Sequence, residues 1–335
     1  MSGTVVPPIP PLTEGLYTTD SIDSRMLYKE FQEGVNIYND ADLAVVNRFM
    51  RKSDKESVRV WQRNMEFVIA SEGFQADWQK GRAVEVALDL DEFELGLAYT
   101  KNMIQDQTAD EVKQSQKEAL AADKRVMMKR FIYKATRKGS GSSTLGWWDG
   151  NMAAASARAP PPWKGNTFTT GHDHFDVSGS ADIQLSDFSA MKKDIREHGY
   201  EGAIWMFLNS DQIEALENLA AWDKAATPTS IQQDVATKGF EAVKMFQGWT
   251  IIHEDWVPTG YMLGIEANVK PLTLREPESP TGKGLKLWKG PYVDYPLLEA
   301  YYSRRFDMTV VHRGAGAVRQ LTASATYTNP TFTFR

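Results

Sequence analysis

The feature that most constrains this chain is a long helix signalled between Thr108 and Lys138. Thr108 followed by Glu111 is a capping box, in which each side chain satisfies a backbone N–H that the first helical turn leaves without a partner. Asp110 and Glu111 stand at the start, and Lys129, Arg130, Lys134 and Arg137 crowd the end, complementing the helix dipole. Gly139 stops it. Roughly 30 residues at 1.5 Å each make it about 45 Å long. Its apolar positions, Val112, Ala119, Leu120, Met127 and Phe131, form only a narrow stripe. Such a helix lies across a surface and not inside a bundle.

Upstream, Pro7, Pro8, Pro10 and Pro11 write an extended arm that cannot be helix or sheet interior. A broken helical pattern follows over residues 22–52. From Val58 to Leu97 the pattern becomes strand-like. In AVEVALDL, Val84, Val86, Leu88 and Leu90 alternate with Glu85, Ala87 and Asp89. Ser57 to Ala70 supplies an antiparallel partner, so residues 53–100 read as a long two-stranded excursion. A two-stranded ribbon is marginal in water unless something covers its apolar face. Trp61, Phe74 and Trp78 add large apolar groups along and near its tip. With Val84, Val86, Leu88 and Leu90 they are the candidate contacts to a neighbouring chain.

Downstream, residues 139–163 are loop by composition. LSDFSAMKKDIREHG is a short helix with Phe188, Met191 and Ile195 on one face and Gly199 closing it. AIWMFLN is a buried strand and DQIEALENLAAW another helix. GWTIIHEDW, GYMLGIEA and TVVHRGAGAVRQL read as strands. Without a regular βαβα rhythm, the fold class is α+β.

Chemistry is harder to find. With 42% hydrophobic and 24% charged residues, the 335-residue chain is composed like a folded soluble protein. It has no cysteine, which excludes disulfides, thiolate metal sites and cysteine nucleophiles. A net charge of −6 argues against a chain whose main task is gripping phosphate. No apolar run is long enough to span a membrane, and MSGTVVPPIPPLTEG does not read as a secretory leader. GHDHF uses two of the five histidines, and His172 and His174 at i, i+2 on a strand share a face. A third metal ligand would have to come from Asp176 or from His253 and Glu254. The zincin pattern needs a histidine where Val257 stands. The expectation is a polar pair at a strand start, with no metal, no cofactor and no catalytic residue. A metal-dependent hydrolase using His172 and His174 is the enzyme alternative. RKGSGSST, PTGKGL and RGAGAV each lack part of a phosphate-binding motif and read as turns or bulges.

The order of segments carries more than any motif. LDEFELGLAYTKNMIQDQTADEVKQSQKEALAADKRVMMKRFIYKA resembles the passage from extended loop into spine helix in the major capsid proteins of tailed bacteriophages, the Hong Kong 97 fold that encapsulins share. PPPWKGNTFTTGHDHF followed by DIREHGY is similar to that family's His-x-His-aromatic segment and the acidic helix after it. GPYVDYPLLEAYYSRRFDMTVVHRGAGAVRQL is similar to its closing strands. The resemblance covers about residues 53–325.

It implies an N-terminal arm over 1–52, an extended β-hairpin loop over 53–105, a peripheral domain over 106–200 and 291–335 carrying the spine helix, and an axial domain over 201–290. It implies a shell subunit with no enzymatic role, in which GHDHF is structural. Its partners would be copies of itself in pentamers and hexamers of an icosahedral capsid, with scaffolding, portal and decoration proteins left open. The shell would enclose double-stranded DNA without sequence-specific binding. The implied location is the virion, assembled in the host cytoplasm, with no membrane involved. An encapsulin nanocompartment is the alternative within the fold, and the proline-rich arm argues against its cargo-holding N-terminal helix.

Overall fold

The computed structural model describes residues 15–41, 43–61, 83–139, 146–150, 159–219, 241–246, 248–292 and 294–333. In chain order the helices are α1 (Ser24–Asp40), α2 (Ala44–Phe49), α3 (Lys101–Asp106), α4 (Ala109–Thr136), α5 (Leu185–Arg196) and α6 (Ser210–Glu217). The strands are β1 (Met50–Ser53), β2 (Ser57–Trp61), β3 (Ala83–Ala87), β4 (Asp91–Ala98), β5 (Phe175–Val177), β6 (Ile204–Leu208), β7 (Glu241–Phe246), β8 (Trp249–His253), β9 (Tyr261–Glu266), β10 (Leu272–Arg275), β11 (Lys286–Lys289), β12 (Glu299–Val310) and β13 (Gly316–Gln320). The class is α+β, as the intermixed signals predict. No helix among the described residues is long and apolar enough to cross a membrane.

The chain divides into two compact units. The larger comprises Asp42–Leu90, Arg125–Glu278 and Phe306–Arg335. Its core is a six-stranded sheet in the order β5-β13-β9-β6-β8-β7. The run IWMFL makes β6 a strand buried along its whole length, because both of its faces are covered. Ile204, Met206 and Leu208 share one apolar cluster with Phe188, Met191 and Ile195 of α5. Trp205 and Phe207, which alternate with them, meet Phe49 at centroid distances of 5.6 Å each, and Phe131 of α4 stacks on Phe49 at 5.5 Å. Gly264 of β9 is required by the indole of Trp249, since a Cβ there would stand 2.7 Å from the ring.

The smaller unit comprises Met1–Ala41, Asp91–Lys124 and Ser279–Arg305. Leu27 and Phe31 of α1, Ile104 of α3, Val112 of α4 and Leu297 form its core. β4 and β11 both pair with β12.

α4 contributes residues to both units. Its capping box is formed: the Thr108 N–H donates to Glu111 Oε2 at 2.7 Å, and the Glu111 N–H to Thr108 Oγ1 at 3.4 Å. Val112, Ala119, Met127 and Phe131 are buried as the stripe predicts, whereas Leu120 is half-buried. The helix ends at Thr136, one half-turn short of the expected Lys138. Polar anchors supplement the thin stripe. Asp123 pairs with Arg304 at 2.9 Å and accepts from Tyr38 Oη at 2.8 Å in the smaller unit. In the larger unit Asp307 pairs with Arg130 at 3.0 Å and Lys134 at 2.9 Å.

The excursion is shorter than the sequence suggests. β2 and β3 form an antiparallel two-stranded sheet of their own, pairing Val58 with Val86 and Val60 with Val84. The strand written by AVEVALDL stops at Ala87, however, and residues 91–98 leave the ribbon to become β4 on β12. The alternating DEFELGLA carries no mark of which strand it joins, because its partner lies about 200 residues later in the chain.

Candidate assembly surfaces and a histidine cluster

The residues expected to touch a neighbouring chain do not form one set. Trp61 lies in β2 opposite Ala83, out of phase with the valines. Phe74 and Trp78 lie outside the described residues. Val84 and Val86 occupy alternate positions of β3. Leu88 extends the ribbon's pairing, its N–H donating to the Glu56 carbonyl at 2.9 Å, but at 3% exposed its side chain belongs to the subunit's own interior. Leu90 is half-buried. At the base of the ribbon lies a cavity of about 710 Å³, lined by Arg51, Lys52, Lys55 and Arg59 against the single carboxylate of Glu85. The ribbon therefore rises from a basic hollow in an otherwise acidic chain.

A second exposed surface, in the smaller unit, escaped the sequence reading. Trp288 of β11 and Tyr301 of β12 stand directly opposite each other in the antiparallel register, so they share a face. They are 56% and 42% exposed, and the nearby Tyr292 is 57% exposed. The Trp288 indole N–H donates to Ser303 Oγ at 2.7 Å, which fixes the ring. The missed signal is the aromatic density of YVDYPLLEAYY, read as strand and not as surface.

GHDHF holds more than the expected pair. His174 is fully buried at the entry to β5, with Nδ1 2.7 Å from the Gly316 carbonyl of β13. His172 Nε2 lies 3.1 Å from His174 Nε2, 2.9 Å from His198 Nε2 and 3.3 Å from Glu197 Oε1. Glu197 and His198 are the first residues past α5, in the segment EHGY. Gly199, at φ +89°, turns the chain there. One potential ligand atom from each of the four residues lies within 4.8 Å of all the others. Phe168 covers the group, its ring centroid 4.8 Å from His172 and 4.4 Å from His198. Burial holds His172 and His174 below the usual imidazole range. Burial also pushes His198 down to about 3, with the His172 ring adding to the effect. Burial raises Glu197. The further ligands suggested by the sequence stand apart: Asp176 faces Arg319 at 3.7 Å, and His253 lies 2.9 Å from Asp255.

That last pair, with Ser210, brings a serine, a histidine and an aspartate together. Ser210 Oγ donates to Asp255 at 2.6 Å, and both residues approach the same His253 Nε2. A nucleophile relay needs serine and aspartate on opposite ring nitrogens, so this is a surface hydrogen-bond group and not a triad.

No protein-family model and no curated protein matches the sequence. Solved structures do match. A structure from Mycobacterium phage Patience matches with a TM-score of 0.68 at 23% identity, over 96% of this chain and 97% of that one. The capsid of a native GTA particle matches with a TM-score of 0.53 at 16% identity, over 83% of this chain and 90% of its own. The mature capsid of bacteriophage PhiM1 gives 0.51 at 11% identity, over 84% and 87%. The chain has the Hong Kong 97 capsid fold. The long helix, the two-stranded ribbon and the α+β body thus belong to the architecture that the segment order implied.

Proposed function

We propose that the chain is the major capsid protein of a tailed bacteriophage, assembling with copies of itself into the icosahedral shell around double-stranded DNA. The observation that carries this reading is the match over 96% of this chain and 97% of a phage protein, joined by two phage-type capsids. The exposed aromatic pair Trp288 and Tyr301 supports the reading by offering apolar surface for contacts repeated around symmetry axes, and the valine-paired β2–β3 ribbon is a two-stranded element that a neighbour would cover. The peripheral domain over 106–200 and 291–335 and the axial domain over 201–290 extend the same reading, with the β2–β3 ribbon reaching a neighbour while Leu27, Phe31 and Phe49 of the arm and β4 of the loop pack within the subunit. Pentamers and hexamers in a virion, built in the host cytoplasm, follow from it.

An encapsulin shell remains the alternative within the fold and is less favoured, since the structures matching at TM-scores above 0.5 include two capsids of phage type. The hydrolase alternative fares worse. A catalytic metal centre keeps an open position for water, whereas four ligand atoms converge around His172 and His174. Analytical ultracentrifugation of the expressed chain, alone and with a scaffold, tests the proposal. Capsomers or shells are expected, and a monomer under every condition would reject it. With a net charge of −6, isolated subunits should not bind DNA tightly, and nanomolar, salt-sensitive binding would contradict the reading.

A further inference from the structure

The histidine cluster cannot satisfy itself. An imidazole nitrogen carries either one hydrogen or one lone pair in the ring plane. The Gly316 carbonyl 2.7 Å from His174 Nδ1 requires a hydrogen on that atom, so the neutral ring turns the lone pair of Nε2 towards His172. His172 Nε2 faces that lone pair and the Glu197 carboxylate, so it must carry a hydrogen, and this hydrogen can serve only one of them. His198 Nε2 then arrives at 2.9 Å. With a lone pair it is a third acceptor for a single hydrogen. With a hydrogen it meets another N–H head-on. Adding protons to the rings only brings more hydrogens to the same point, in a site that burial already makes hostile to imidazolium.

A cation at that point resolves the conflict by accepting every lone pair at once. Zinc bonds of 2.0–2.1 Å in a tetrahedron place ligand atoms about 3.3 Å apart. The three edges that start at His172 Nε2, at 2.9, 3.1 and 3.3 Å, are already close to that value, and all four ligand atoms lie within 4.8 Å of one another. The outer groups suit a metal too. The Gly316 carbonyl holds His174 in the Nδ1–H tautomer that leaves Nε2 free to bind, and the Phe168 ring packs against His172 and His198 and fixes their rings. We propose that His172, His174, His198 and Glu197 form a structural site for a divalent transition metal, zinc by its nitrogen-rich, four-ligand donor set. The ion would tie the segment entering β5 to the end of α5, two pieces of chain more than 20 residues apart within the larger unit. Its binding energy would then be folding energy for that junction. The proposal departs from the expectation that GHDHF holds a polar pair without metal.

The test uses the full-length chain, reloaded with Zn²⁺ and dialysed. Elemental analysis should find about one ion per chain. X-ray absorption should count three imidazoles, and a chelator should lower the thermal midpoint reversibly. His198→Ala and the milder Glu197→Gln should each weaken zinc retention by roughly 10-fold or more. Reloaded wild type that keeps less than about a tenth of an ion per chain would overturn the site. So would equal retention by both variants, or absorption spectra with fewer than two imidazoles. If His198→Ala fails to fold, the ligand count in the wild type decides.

Discussion

The six-stranded sheet of the larger unit and the β2–β3 ribbon are built from similar residues and are stabilised differently. β6 is apolar at every position because α5 covers one face and Phe49 with Phe131 the other. The ribbon has equally good strand formers, pairing valine with valine, but only two strands and a rim of basic side chains at its base. Burial within the chain makes the first a core. A two-stranded ribbon is marginal alone in water, and in the function proposed for the chain another copy supplies its cover.

The sharpest way to break this comparison is to remove the ribbon's outer part. Replacing Arg63 to Arg82 by a short Gly-containing turn should leave a folded, soluble subunit by circular dichroism, while shells vanish from electron micrographs. Normal shells, or a chain that cannot fold, would erase the distinction. The opposite change attacks the core. Phe207→Ala opens a cavity beside Phe49 and Phe131 and should cost about 3–5 kcal/mol in urea unfolding of the subunit.

The contrast also marks what a sequence can disclose. The α4 cap was legible because Thr108 and Glu111 are three residues apart, and β6 because a buried strand needs no alternation. β4 reads as ribbon in the sequence because its pattern is the same on either partner, and only β12 decides. His172 and His174 announced themselves by spacing. His198 and Glu197 did not, since they reach the cluster only once α5 docks on the sheet that carries Gly316. Leu88 continues the ribbon's pairing through its N–H to the Glu56 carbonyl, yet its side chain is buried within the subunit, which alternation alone does not disclose.

A pH series sharpens the core side. Burial, with Asp176 and Glu197 nearby, raises Asp194 to about 7. The folded state therefore holds a proton that the unfolded chain releases near pH 4. Stability from this group is full below that and falls by about 1.4 kcal/mol per pH unit until about pH 7. Asp194→Asn should flatten this slope in urea unfolding between pH 4 and 7, and an unchanged slope would remove the assignment. The smallest effect belongs to the ribbon. Val58→Ser should alter subunit stability by no more than about 0.5 kcal/mol while reducing the yield of shells. A larger loss of stability would mean that the ribbon is part of the fold.

The most direct measurement is a cryo-electron microscopy reconstruction of the assembled full-length chain, traced through residues 62–82. The account predicts closed shells in which this segment lies against a neighbouring copy, with its apolar side chains covered there. A shell in which the segment folds back onto its own subunit, or a chain that never assembles, would contradict it.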